Sequence, residues 1–169
     1  MKIAARLGLV ALQLTIGLAL VNRVGFAADE DKFLGTWALN AGQSKAPGGA
    51  GGLPTNATVV VTKAGPGMYK SVSDTTMSGI SAHSEITFAT DGKDYAPVVT
   101  PAPPPGAASI TQSFERVSAT AYKGSIKLNG QVIATTMNEV STDGKTFTIT
   151  TTGVGPAAGV VATMVFDRK

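Results

Sequence analysis

Cysteine is missing from this 169-residue chain, which has a single histidine and a single tryptophan. Without thiols it can form neither a disulfide nor a thiolate metal site, so its stability has to come from a packed core. One imidazole, His83, falls short of the three or four ligands that a zinc site uses. A serine nucleophile would have only that imidazole as a base, and there is no Gly-x-Ser-x-Gly elbow. Charge is sparse too, at 15% of residues. No Lys/Arg stripe or aromatic-basic platform occurs, which argues against nucleic acid as a partner. Apolar residues never recur at 3.6-residue spacing over a long stretch, so helices are not expected. These absences predict no metal, no cofactor and no enzymatic activity.

What is present begins with a leader. Lys2 and Arg6 precede an uncharged run from Leu7 to Val21, and the small residues Gly25, Ala27 and Ala28 follow, which is the order of a secretory signal peptide. The run is shorter than the roughly 20 residues a membrane-crossing helix needs, and Gln13 and Thr15 interrupt it. Cleavage after Ala27 is expected, with Ala28 as the alternative, leaving residues 1–27 as signal peptide and 28–169 as one mature domain without a stable membrane anchor. The mature protein is expected in the periplasm or secreted. Lys2, Arg6 and Arg23 leave with the leader while all 11 acidic residues stay, so the formal charge falls from +3 to zero. The basic pI of the full chain, about 9.3, therefore says nothing about a polyanionic partner.

The mature chain reads as all-β. Segments rich in Val, Ile, Thr, Phe and Tyr recur between turn residues. Phe147 and Ile149 alternate with threonines, and Tyr122, Ile126 and Leu128 alternate with Lys123, Ser125 and Lys127, giving each strand one apolar face. Asp91-Gly92, Asn129-Gly130 and Asp143-Gly144 suit tight hairpin turns. About ten strands follow: 33–40, 57–63, 68–74, 80–90, 94–99, 109–116, three between 119 and 152, and 159–168. The Gly/Pro stretches 45–54 and 100–106 should be surface loops. The architecture predicted is a single up-and-down antiparallel β-barrel of 8–10 strands, monomeric. Its short, Thr-rich strands lack girdles of interfacial aromatics, which favours a soluble barrel over an outer-membrane one. The acidic run Asp29-Glu30-Asp31 has no calcium-loop pattern behind it and is expected to be solvated. Glu85, Glu115 and Glu139 fall on strands, where a facing pair could act as acid and base; their facing is not legible here.

The first mature strand contains Gly35-Thr36-Trp37, and the last reads Thr163-Met164-Val165-Phe166-Asp167-Arg168. Together these resemble the opening and closing strands of the lipocalin and fatty-acid-binding-protein (calycin) superfamily. The stretch from His83-Ser84-Glu85 to Asp91-Gly92-Lys93-Asp94-Tyr95 is similar to exported bacterial lipocalin-like proteins. The resemblance implies that Gly35, Trp37 and Arg168 close one end of the barrel, with the late Arg packed over the indole. It also places Met164 and Phe166 where fatty-acid-binding proteins carry the Arg and Tyr that hold a carboxylate. A carboxylate buried without such a partner pays several kcal/mol of desolvation, so the implied ligand is a small, mostly neutral apolar molecule. Phe88, Tyr122, Met137, Met164 and Phe166 are the expected lining residues, chosen by size and alternation. The helical lid of fatty-acid-binding proteins is replaced by the loop at 45–54, implying an open mouth. The alternative is a filled barrel serving as an envelope structural or interaction protein.

Overall fold

Alternating side chains separated by Gly-containing turns dictate strands, and the computed structural model, which describes residues 31–169 apart from Gly48, has eleven. In chain order they are β1 (Gly35–Leu39), β2 (Asn56–Gly65), β3 (Met68–Met77), β4 (Ile80–Ala89), β5 (Asp91–Tyr95), β6 (Val98–Thr100), β7 (Ile110–Ser118), β8 (Ala121–Leu128), β9 (Gln131–Val140), β10 (Thr146–Gly153) and β11 (Val161–Arg168). The signal peptide and its cleavage site, together with Asp29 and Glu30, lie outside the described residues.

Neighbours along the chain pair antiparallel nearly everywhere, and β11 returns to β1 with Arg168 opposite Trp37. The exception lies between β4 and β7. There β5 pairs with β7, Tyr95 opposite Gln112, whereas β6 pairs with β4, Val98 opposite Glu85. The stretch 91–100 is thus one crossing of the seam that changes partner at Ala96-Pro97. Pro97 has no N–H to give a ladder, so the switch falls where a donor is not needed. Through this stretch the sheet closes into a barrel. The single strand expected at 94–99 is therefore two, which raises the count to eleven. Asp91-Gly92 does bend the chain, with Gly92 at φ 78°, but it is not a hairpin tip, because β4 and β5 share no ladder. Asn129-Gly130 is a true two-residue turn between β8 and β9, with φ of 48° and 81°.

The two ends of the barrel differ in side-chain size. At one end Phe33, Trp37, Phe147 and Phe166 are fully buried, and Tyr69, Phe88, Phe114 and Tyr122 pack beside them. Phe33 and Tyr122 have ring centroids 4.5 Å apart, Trp37 and Phe147 5.4 Å, and Phe88 and Phe114 4.1 Å across the seam. These aromatics plug the floor. Towards the other end the inward positions are Ala57, Ser71, Ser73, Thr75, Ser84 and Ala162, too small to meet across the axis.

Residues 31–34 run beneath the plug. Asp31 was expected in solvent, but its side chain is only 14% exposed, because it meets Tyr69 and Arg116 under the floor. It accepts a hydrogen bond from the Tyr69 hydroxyl and one of 2.8 Å from Arg116 Nη2, with Lys63 Nζ at 3.5 Å. Burial alone would raise its pKa; the bonds from Tyr69 and the Phe33 N–H, together with the Arg116 charge, outweigh that and lower it.

Trp37 is wholly buried, and its Nε1 donates to the Phe33 carbonyl at 3.0 Å. The Arg168 guanidinium lies over the indole, 4.2 Å from the ring centroid. It donates to the carbonyls of Gly144, Leu34 and Lys32 at 2.5, 2.7 and 2.6 Å. Gly35 explains its own identity here: a Cβ at that position would stand 2.5 Å from Arg168 Nη1, and its φ is +136°.

Candidate functional site

Above the plug the small inward residues leave a cavity of about 500 Å³. That is inside the 300–1,000 Å³ typical of small-molecule sites. Its floor is Phe88, Phe114, Tyr122, Phe147 and Phe166. The apolar wall comes from β2, β10 and β11 through Val59, Val61, Ile149 and Met164. The facing wall is polar but neutral, with Ser71, Ser73 and Thr75 on β3, Ser84 on β4, Gln112 on β7 and Asn138 on β9. Among the described residues no Lys, Arg, His, Asp or Glu lines it.

Of the five residues expected to line the interior, Phe88, Tyr122 and Phe166 form part of the floor and Met164 part of the wall. Met137 does not reach the cavity. It lies on the outer face, 36% exposed, opposite Thr150 and Lys123. Strand parity is the reason: Ala134, Asn138 and Val140 are the buried set of β9, and Met137 has the other parity. The largest apolar side chain of the segment misled the sequence reading, and the polar residue beside it is the one inside.

Asn138 is only 5% exposed. Its Nδ2 donates to the Tyr122 carbonyl at 3.4 Å and to Thr136 Oγ1 at 3.1 Å, which fixes which way the amide points. Its Oδ1 takes no hydrogen bond from any described residue. No polar side-chain atom among the described residues is sealed away without a partner, so this oxygen opens onto the cavity as a free acceptor. Burial pushes the Tyr122 phenol far up, so it stays neutral at any physiological pH. Ile149 was within reach of sequence, since it shares a face with Phe147. Asn138 was not, because nothing in an Asn flanked by Met and Glu says which face is wet.

The loop at 45–54 is not simply a surface loop. A short 3-10 turn at Gly49–Gly52 turns Leu53 and Pro54 inward, where both are buried against the cavity. Two apolar residues in an otherwise small-residue loop find their only dry surroundings there. They narrow the mouth without closing it with a helix.

The remaining candidates lie on the outer wall. His83 bonds Asp74 at 2.7 Å and Glu85 at 3.2 Å, and these two carboxylates raise its pKa. Glu85 also pairs with Lys70 at 2.6 Å, Glu115 pairs with Lys123, and Glu139 is exposed. No two of the strand glutamates face each other inside the barrel, which removes the acid-base arrangement. Among the described residues no cluster of His, Asp and Glu is placed to hold a metal.

Fold and site together define a class: an all-β antiparallel barrel with a hollow, neutral interior. Solved proteins share this fold. Wild-type UnaG, a fluorescent protein, matches with a TM-score of 0.56 at 16% identity, over 82% of this chain and 98% of that one. Fatty-acid-binding protein 1 of Echinococcus granulosus matches with a TM-score of 0.53 at 19% identity, over 81% and 97%. No family model matches the sequence, and no curated protein does. At these identities the likeness is one of fold. It agrees with the antiparallel β-barrel expected from the sequence, and nothing found supports the narrower likeness to exported bacterial lipocalin-like proteins.

Proposed function

We propose that this chain is an exported carrier or sequestering protein that binds one small, mostly neutral, apolar molecule inside its barrel. The observation that carries the reading is a cavity of about 500 Å³ whose walls carry no charged side chain among the described residues. An ionised head group entering it would lose its hydration with no counter-charge in return, at a cost of several kcal/mol. A neutral molecule loses only apolar hydration, which is favourable at roughly 25 cal/mol per Å². One structural neighbour is a fatty-acid-binding protein, but here Met164 and Phe166 offer a carboxylate nothing. The Asn138 acceptor and the row of hydroxyls on β3 suit a ligand with one polar edge.

The leader sequence supports export to the periplasm or beyond, where a carrier for a poorly soluble molecule is useful, and it motivates the absence of an anchor after cleavage. A cavity of this size also leaves the filled-barrel alternative without its main requirement.

Native mass spectrometry of the mature protein from its own source tests this. The intact mass should exceed the denatured mass by one small molecule. A chain that arrives bare, and that takes up no neutral aromatic dye in titration, would overturn the carrier reading.

A further inference from the structure

The charged residues of this barrel are sorted by end. Five segments surround the mouth: 76–81, 100–110, 128–131, 153–161 and, from the β1–β2 connection, the part beyond Lys45, 46–56. None contains Asp, Glu, Lys, Arg or His. The neutral stretches extend well into the flanking strands, from Tyr95 to Phe114 and from Thr146 to Phe166. At the closed end charges lie in or close to the connections: Lys63 near the end of β2, Asp91 and Lys93 on β5, Glu115 and Arg116 near the end of β7, Asp143 and Lys145 between β9 and β10, and the pair Asp31 and Lys32 ahead of β1. The charges nearest the rim are Lys45, Lys127, which Asp94 holds at 2.8 Å, and the pair His83 and Asp74, with His83 opposite Thr100.

In place of charge the mouth carries exposed aliphatics. Ile80 is 73% exposed at the β3–β4 turn, Val161 49% at the start of β11, and Met77, Val154 and Val160 accompany them. These side chains come from two of the rim segments, 76–81 and 153–161, and not from a stripe along one strand. The outer wall cannot share their surroundings, since Lys70, Asp74, His83, Glu85 and Lys123 stud it. Only the end of the barrel, and not its side, can enter an apolar medium.

We infer that the mouth end docks on a lipid bilayer, with its uncharged rim seated at the headgroup–acyl boundary and the cavity opening into the membrane. Protein interfaces ring their apolar centre with polar and charged side chains; here the rim itself is the apolar part and charge begins only below it. With no cation on the rim, the attraction is hydrophobic and not electrostatic, so neutral phosphatidylcholine suffices. The inference rests on the carrier reading for its purpose: an apolar ligand could pass between membrane and cavity without crossing water.

Flotation with phosphatidylcholine vesicles tests it. The mature protein should float with the vesicles, and equally so at about 0.01 M and 1 M salt, a change that shortens screening from about 30 Å to 3 Å. The double variant Ile80→Asp/Val160→Asp should float at least roughly tenfold less, because each added carboxylate must leave water. Val117→Asp, an exposed site at the closed end, should behave as wild type. Circular dichroism and dye uptake check that each variant is folded. No flotation, flotation that needs anionic lipid and low salt, or flotation untouched by the double variant would overturn the inference. So would a mouth-to-mouth dimer, seen as a doubled mass in light scattering that the double variant abolishes. A protein that takes up dye but never floats keeps the carrier reading and loses the docking; one that floats but holds neither dye nor native ligand does the reverse.

Discussion

Replacing Gly35 by Ala adds one methyl group, yet it should destabilise the barrel about as much as a large core truncation does. Two costs add. At φ +136° any L-residue is strained by about 1–3 kcal/mol. The new Cβ would also stand 2.5 Å from Arg168 Nη1, so the guanidinium must move from its three carbonyls and from the Trp37 face. Losing one charge-assisted hydrogen bond costs roughly 1.5–3 kcal/mol, and the exposure of these bonds argues for the lower figure. The sum is about 3–5 kcal/mol, against a total stability of roughly 5–15 kcal/mol for a domain. At about 3 °C per kcal/mol, Tm should fall by roughly 10 °C. Trp37 is the chain's single tryptophan, so its fluorescence in a urea titration reports on the altered site directly. The decisive measurement is a double-mutant cycle with Arg168→Ala. With the guanidinium gone, Gly35→Ala should cost only the backbone part, about 1–3 kcal/mol. If the cost is the same in both backgrounds to within about 0.5 kcal/mol, the steric coupling between Gly35 and Arg168 is refuted.

Trp37→Ala should cost roughly 3–5 kcal/mol through the cavity it leaves; a melting shift of a degree or two would contradict its place in the plug. Asn138→Leu should remove a preference for naphthol over its methyl ether, expected at roughly 2–10-fold in wild type from one net hydrogen bond, as read by fluorescence titration. Equal binding of the two compounds by wild type would mean that Oδ1 does not meet ligand. Met164→Glu should abolish uptake of neutral dyes, whereas Met137→Glu, on the outer face, should leave it unchanged. Asp31→Asn should lower the denaturation midpoint at neutral pH. Because the folded pKa of Asp31 is lowered, its contribution is present above the ordinary value of 3.8 and shrinks as pH falls below it. It is gone beneath the folded pKa. The two proteins should therefore converge in strong acid, and a gap that persists there would show that the charge of Asp31 is not what matters.

The class of fold was legible before any tertiary contact was known, because period-two alternation and Asn-Gly or Asp-Gly turns are local properties that survive in any context. The sequence also carried the Gly35, Trp37 and Arg168 pattern, whose geometry follows from pairing the first strand with the last. The sorting of charge to one end is fully written in the sequence too, but it acquires meaning only once the connections are divided between two ends of a barrel. Tertiary structure alone decided which parity of each strand faces inward. In β9 an Asn is inside and a Met outside, and in β3 Ser71 and Ser73 face the axis while Val72 faces out. A one-residue change of register inverts every such assignment, and register is fixed by neighbours distant in sequence. The seam at 91–100 was likewise out of reach, since its partner switch depends on two ladders formed by strands on either side of it. The hollow itself arises from a sum over strands: small inward residues on β2, β3, β4 and β11 meet at one level of the barrel, and no single segment announces that they will.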